Sequence, residues 1–129
     1  MDITPLVPKG RQLINGYGDG GFRISGVRYE GSVWVLPEVT LAWSATDIDQ
    51  DIDRSLQELI EKAARRVEIL LLGMGRTMLP IPKSLRQRCR DAGVALETMD
   101  TGAACRTYNV LLTEERGVAA ALIAIGSSI

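Results

Sequence analysis

The chain has 129 residues, 46% of them hydrophobic and 24% charged, with a formal net charge of −1, two cysteines and no histidine. That length supports one hydrophobic core without a disulfide or metal staple, so a single domain over residues 1–129 is expected. The balanced charge offers no basic excess for phosphates, which argues against a nucleic-acid partner. The missing histidine excludes a Ser-His-Asp or Cys-His machine within one chain and removes the commonest nitrogen ligand for metals.

The first ten residues, MDITPLVPKG, contain two prolines and predict a loosely ordered lead-in. They lack a basic start followed by an apolar core, so no signal peptide is expected. Residues 11–43 read as β-structure. Two short apolar runs flank a Gly-Asp-Gly-Gly turn in QLINGYGDGGFRISG, and VRYEGSVWVLP repeats the pattern with Glu30-Gly31 as its turn. VTLAW supplies a further strand, and Pro37 should close the one before it, because proline cannot donate to a ladder. Trp34 and Trp43 are expected in a core or an interface.

The first helix is marked by capping-box spacing of Ser55 and Glu58 and by the apolar stripe Leu56, Leu59, Ile60, Ala63. VEILLL (67–72) is a continuous apolar strand, which predicts burial on both faces of a sheet. KSLRQRCRDAG is a second helix, with Leu85, Cys89 and Ala92 inward and Gly93 just past its end. VALETM (94–99) is the next strand, and strand, helix and strand together form a βαβ unit with parallel strands. A third helix starts near Thr101, a good N-cap residue, and turns Ala104, Tyr108, Leu111 and Leu112 to one side. GVAAALIAI is too short to span a bilayer, so no integral membrane segment is expected. Periodicity alone does not separate strand from helix there, but the flanking glycines and the length favour a buried strand.

The stretch LLLGMGRTMLP has the outline of a strand feeding a phosphate loop. A dinucleotide fingerprint needs a third glycine and a helix that starts at once. Here Met78 stands in the third glycine's place, and Pro80 and Pro82 delay the helix to about Lys83. A tight turn after the strand is the plainer reading. Its position still matters. Gly73, Met74 and Gly75 end one parallel strand, MDTGAACRTYN ends its neighbour, and that carboxyl edge is where open α/β sheets bind ligands. The candidate site is therefore a cleft between the 73–82 loop and the helix starting near Thr101. Gly102 and Ala104 would let a ligand approach the unpaired N–H groups, while Arg76, Thr77, Thr101 and Arg106 supply donors and charge for an anion or carboxylate. Alternatively, Thr101 is only a cap and the small residues only pack.

Cys105 lies in the first turn of that helix, where the dipole favours a thiolate, but with no base nearby a small packed residue is the simpler reading. Cys89 reads as core. Two free thiols fit a reducing cytoplasm. Asn109, Glu114 and Arg116 are either surface residues or the polar wall of the same cleft. In DIDQDIDRSLQE, Asp47, Asp49, Asp51, Asp53 and Glu58 fall in a calcium-loop register, but Ile52 stands where the loop needs glycine. No metal, no cofactor and no catalytic residue is assigned.

GYGDGGFRISG, ILLLGMGRTMLPIP and AGVALETMDTGAACRTYNVLLTEERGVAAALI together resemble one family, from about Ile14 to Ile125. It is the small α/β domain family of mitochondrial respiratory complex I assembly factor 3 and its uncharacterised bacterial relatives. The resemblance implies a three-layer α/β fold. Its central sheet is mixed and mostly parallel, with an additional β-hairpin layer and an antiparallel C-terminal strand. The residues carrying the match are Gly73, Gly75, Met99, Asp100, Thr101, Ala104, Asn109, Glu114 and Arg116. The resemblance does not imply an established enzymatic activity. No targeting leader like that of the mitochondrial members is expected and the chain resembles the bacterial ones, so a role in membrane-complex assembly is not expected to carry across simply.

Two functional readings follow. The first is a cytoplasmic, non-enzymatic binding or assembly module whose cleft docks a protein partner or a small anionic ligand. The second is a small enzyme or nucleotide-like ligand binder using Thr101, Cys105, Arg106 and Glu114. Exposed hairpins would also allow a homodimer by edge pairing.

Overall fold

The glycine punctuation of the first third sets two tight hairpins. The computed structural model describes residues 10–49 and 51–126, so the expected lead-in falls, but for Gly10, outside the described residues. Strands β1 (Ile14–Gly18), β2 (Gly21–Ile24) and β3 (Val27–Glu30) form an antiparallel three-stranded sheet. Both turns place two residues at positive φ, Asp19 (52°) with Gly20 (80°) and Ser25 (49°) with Gly26 (82°), which matches the right-handed twist of the strands. The expected hairpin turn at Glu30-Gly31 is corrected. One residue is too short to fold β4 (Ser32–Val35) back on β3, so Gly31, at φ 80°, instead carries the chain into a second sheet. There β4 pairs with β5 (Thr40–Trp43), and Pro37 lies in the turn between them, closed by Leu36 N–H donating to the Val39 carbonyl.

The remaining elements alternate: α1 (Ile52–Ala63), β6 (Ile69–Gly73), α2 (Lys83–Asp91), β7 (Ala95–Met99), α3 (Thr101–Thr113) and β8 (Val118–Leu122). The second sheet has the order β5-β4-β8-β6-β7. β6 is parallel to both β7 and β8, whereas β8 is antiparallel to β4. The expectation that the C-terminal strand runs against the others therefore holds only towards β4. The cause lies in the helices. α3 carries the chain back from the carboxyl rim to the rim where β6 begins, so β8 must set out in the same direction. β4 is the strand that opposes the other four.

The fold has three layers around this mixed sheet. One face of β6 and β8 (Leu70, Leu72, Ala119, Ala121) packs against α1 and α2. The other (Leu71, Ala120, Leu122) packs against α3 and the three-stranded sheet, through Tyr108, Phe22 and Ile24. The continuous apolar runs at 69–73 and 118–122 are thus buried on both faces, as such runs in central strands require.

Two helix starts differ from expectation. Ile52 is buried and pulls the beginning of α1 upstream, to Asp51, which makes no side-chain cap bond. Ser55 lies inside the helix, where its Oγ accepts from Trp43 Nε1 at 2.7 Å, so it forms no capping box with Glu58. Trp43 and Trp34 lie in the core with ring centroids 6.3 Å apart. In α3 the cap is Asp100, whose Oδ1 accepts from Ala103 N–H at 2.9 Å, and Thr101 is the first helical residue. α2 ends as read, with Gly93 at φ 75°. The acidic segment before α1 is consumed locally. Asp47 and Asp49 accept from the Ile48 and Asp51 N–H groups, and Asp53 pairs with Arg88 of α2 at 2.6 Å. The Arg88 hydrogen bond holds the Asp53 carboxyl below the usual carboxylate range.

Candidate functional site

The turns after β6 and β7 open on the same rim and are stitched to each other. Met74 N–H donates to the Met99 carbonyl at 2.9 Å, and Thr101 N–H donates to the Gly75 carbonyl at 2.8 Å. The Thr101 hydroxyl completes the joint. It accepts from Gly75 N–H at 2.9 Å and donates to the Ile123 carbonyl at 2.7 Å, with the residue 0% exposed. One side chain therefore ties together the ends of β6, β8 and the start of α3. The space expected to be a cleft between the Met74 turn and Gly102 is filled by Thr101 itself.

The two glycines of Gly-Met-Gly have separate structural causes. A methyl group at Gly73 would stand 3.0 Å from Leu122 Cδ2, 3.1 Å from Thr101 Cα and 3.2 Å from Ala104 Cβ. Gly73 and Ala104 thus let α3 settle onto the sheet. Gly75 adopts φ 83°, a left-handed conformation that glycine alone takes freely.

The N-terminus of α3 is covered as well as capped. Gly102 is buried, and a methyl there would meet Tyr17 Oη at 2.5 Å. Arg106 Nη1 donates to the same hydroxyl at 3.4 Å. Cys105 is buried, and burial pushes its thiol up to about 12 despite the neighbouring Arg106. Desolvation outweighs the helix dipole, so the thiolate suggested by sequence position is not favoured. Cys89 is likewise a buried free thiol, raised to about 11 by burial.

Asn109, Glu114 and Arg116 belong to other places. Asn109 imitates a strand neighbour for β1: its Oδ1 accepts from Ile14 N–H at 3.0 Å and its Nδ2 donates to the Ile14 carbonyl at 2.7 Å. Tyr108 supports it by donating to the Gln12 carbonyl at 2.9 Å. Replacing Asn109 by Ala orphans both Ile14 groups. The variant is expected to lose about 1–3 kcal/mol in thermal unfolding, with faster hydrogen exchange at the Ile14 amide. Glu114 and Arg116 follow the far end of α3. Arg116 Nε donates to Glu68 Oε2 at 3.0 Å beside the start of β6, on the rim opposite the Gly-Met-Gly turn. They do not form a polar wall with the residues near Thr101.

Open space on the carboxyl rim lies on the other side of the Gly-Met-Gly turn. A cleft of about 260 Å³ runs between residues 74–79 and the segment Ile123–Gly126, with Thr46 and Asp47 also in its lining. Of the expected residues, Met74, Gly75, Arg76 and Thr77 line it, and Arg76 Nη2 donates to the Gly126 carbonyl at 3.2 Å. Leu79 belongs to the 73–82 loop expected to form one wall, whereas Thr46, Asp47 and the chain after β8 were not expected there. The available signal was topological: β8 lies between β4 and β6, so its end must emerge beside the Met74 turn. Met78 and Leu79 on the lip of the loop are 52% and 39% exposed.

The chain is similar in sequence and fold to known proteins. The profile of a family described as "protein of unknown function (DUF498/DUF598)" matches residues 14–123, which holds every strand and helix of the structure. The chain belongs to this family. An uncharacterized protein of Rhodobacter capsulatus is 40% identical over 110 residues, covering 85% of this chain and 82% of that protein. The Xenopus tropicalis protein named NADH dehydrogenase [ubiquinone] 1 alpha subcomplex assembly factor 3 is 36% identical over 111 residues. That match covers 86% of this chain but 60% of the Xenopus protein, so the chain spans about three-fifths of that relative's length. Among solved structures, one described as an outer membrane protein from Bartonella henselae superposes with a TM-score of 0.81 at 36% identity, over 93% of this chain and 99% of that one. A Bordetella pertussis protein described as a Mth938-like domain superposes with a TM-score of 0.76 at 26% identity, over 100% and 96%. Family members thus include complex I assembly factors and uncharacterized bacterial proteins. Among the described residues no helix is long and apolar enough to cross a membrane.

Proposed function

We propose that this protein is a cytoplasmic, non-enzymatic binding module of the assembly-factor kind, which docks a protein partner on its carboxyl rim. The observation that carries the reading is the exposed apolar pair Met78-Leu79 on the lip of the 74–79 loop, beside a cleft with an apolar base. Met74 and Ile123, each 3% exposed, form that base, while Arg76, Thr77 and Asp47 give the rim polar contacts to orient a partner. The naming of several relatives as assembly factors supports a protein as the occupant. Of the residues expected at the site, Met74, Gly75, Arg76 and Thr77 belong to this docking surface. The two free, buried cysteines fit a reducing compartment.

The test uses the chain as bait in an extract of its own source cells. The Met78→Asp/Leu79→Asp variant should melt within about 2 °C of the wild type, because exposed sites move stability little. It should lose a protein that the wild type retains and that crosslinks to the 74–79 loop. Equal capture by both overturns the docking surface. A small anionic ligand is the second reading, favoured by Arg76 and Thr77 in the same cleft. Under it, a panel of nucleotides, acyl phosphates and carboxylates should raise the melting point, and Arg76→Ala should abolish the shift.

A further inference from the structure

β7 lies at one end of the five-stranded sheet, and among the described residues it pairs with β6 alone. Its bonding pattern shows which groups point outward. Ala95 N–H donates to the Glu68 carbonyl, and the Met99 carbonyl accepts from Met74 N–H, both at 2.9 Å. Backbone groups alternate along a strand, so Ala95, Glu97 and Met99 face β6, and Leu96 and Thr98 present their N–H and C=O groups to the open edge. No other described residue bonds to those four groups.

A groove of about 290 Å³ runs beside this edge on the α2 side. Cys89, Val94 and Leu96 give it apolar lining, and exposed Arg86 and Arg90 give it positive charge. Neither arginine is neutralised among the described residues: Arg86 makes no ion pair, and Arg90 donates only to the uncharged Gln87, at 3.3 Å. Arg88, between them, is occupied by Asp53. Leu96 is in register with Leu70, which packs towards α1 and α2, so side chains level with Leu96 and Thr98 on an added strand would enter the groove. Glu97 is exposed on the opposite face of the sheet, where it would repel acidic residues.

We infer that the β7 edge takes up, by strand addition, an extended segment of a partner protein with carboxylates at alternate positions. Main-chain bonds to Leu96 and Thr98 would hold the segment, and Arg86 and Arg90 would select acids on the α2 face alone. A second copy of this chain fits poorly. Pairing β7 with its own copy over its full length sets Glu97 opposite Glu97, and it brings both pairs of arginines onto one face of the joined sheet. This edge is distinct from the carboxyl-rim cleft and does not depend on it.

The full chain is used to select from a displayed library of nine-residue segments held between flexible linkers. The wild type should enrich segments with Asp or Glu at alternate positions, and these should slow hydrogen exchange at the Leu96 and Thr98 amides. Thr98→Pro removes an outward N–H without touching the β6 ladder, the position where an edge strand tolerates proline. It should abolish binding. Arg86→Glu/Arg90→Glu, both at exposed sites, should weaken binding about tenfold or more and reverse the preference towards Lys and Arg. Failure to enrich any segment, binders retained by Thr98→Pro, or basic segments preferred by the wild type would each overturn the inference. So would dimers of the free chain with these two amides protected.

Discussion

Replacing Thr101 by Val is expected to lower stability by roughly 2–6 kcal/mol, because two buried backbone groups each lose a partner at about 1–3 kcal/mol. The shape is nearly conserved, so the loss is not a cavity effect. The hydroxyl accepts from Gly75 N–H and donates to the Ile123 carbonyl, and the residue is 0% exposed. For a chain of this size the melting temperature should fall by about 7–22 °C. Thr101→Ser keeps the hydroxyl and should cost only about 1 kcal/mol for the missing methyl group. Hydrogen exchange at the Gly75 amide should accelerate in the valine variant and stay slow in the serine variant. If valine proves neutral, the three chain segments are held by something other than this side chain. The result also bears on ligand tests. Gly75 and Ile123 line the carboxyl-rim cleft, so Thr101→Val loosens its wall, and lost binding in that variant would report on scaffold rather than contact. Arg76→Ala is the cleaner probe.

Thr101 marks where sequence reasoning reached its limit. Its position at the start of α3 was legible, because a polar residue before an apolar stripe signals a helix start. Its role was not, because Asp100 serves equally well as a cap and local pattern does not say which of two neighbours turns outward. The β6-α2-β7 unit, the stripe of α1 and the double burial of residues 69–73 were legible for the same reason: each is a periodicity written within one element. What escaped was between elements. Glu30-Gly31 looked like a turn because glycine marks a reversal without saying whether the chain returns to the same sheet. Ser55 and Glu58 had cap spacing, but the buried Ile52 set the start of the helix. The Thr101 region and the Gly-Met-Gly turn were correctly placed on one rim. The open cleft lies instead on the β8 side of that turn, and the strand order that puts β8 there is a long-range pairing invisible to local pattern.

The Gly-Met-Gly turn allows the sharpest separation between packing and ligand binding. A methyl group at Gly73 would press on Leu122 Cδ2, Thr101 Cα and Ala104 Cβ at 3.0–3.2 Å, so the flexible leucine tip alone cannot relieve it. Gly73→Ala is therefore expected to push α3 from the sheet and cost about 1–3 kcal/mol, as overpacked cores do. Ala104→Gly opens one of the three contacts while itself costing about 1 kcal/mol of helix propensity. The two changes should couple: the double variant should be more stable than the sum of the single losses implies, by about 0.5–3 kcal/mol. Gly75 should behave differently, since a methyl group there meets only Ile123 Cγ2, at 3.7 Å, and the obstacle is its φ of 83°. Gly75→Ala should cost about 1–2 kcal/mol and be indifferent to Ala104→Gly, while Gly75→Asn, which tolerates the left-handed region, should recover part of the loss. A thermal-unfolding cycle over these variants decides the matter. Coupling of Gly73 with Ala104 but not of Gly75 assigns the first glycine to helix–sheet contact and the second to chain reversal. Equal behaviour of the two would remove the distinction on which the structural account of this turn rests.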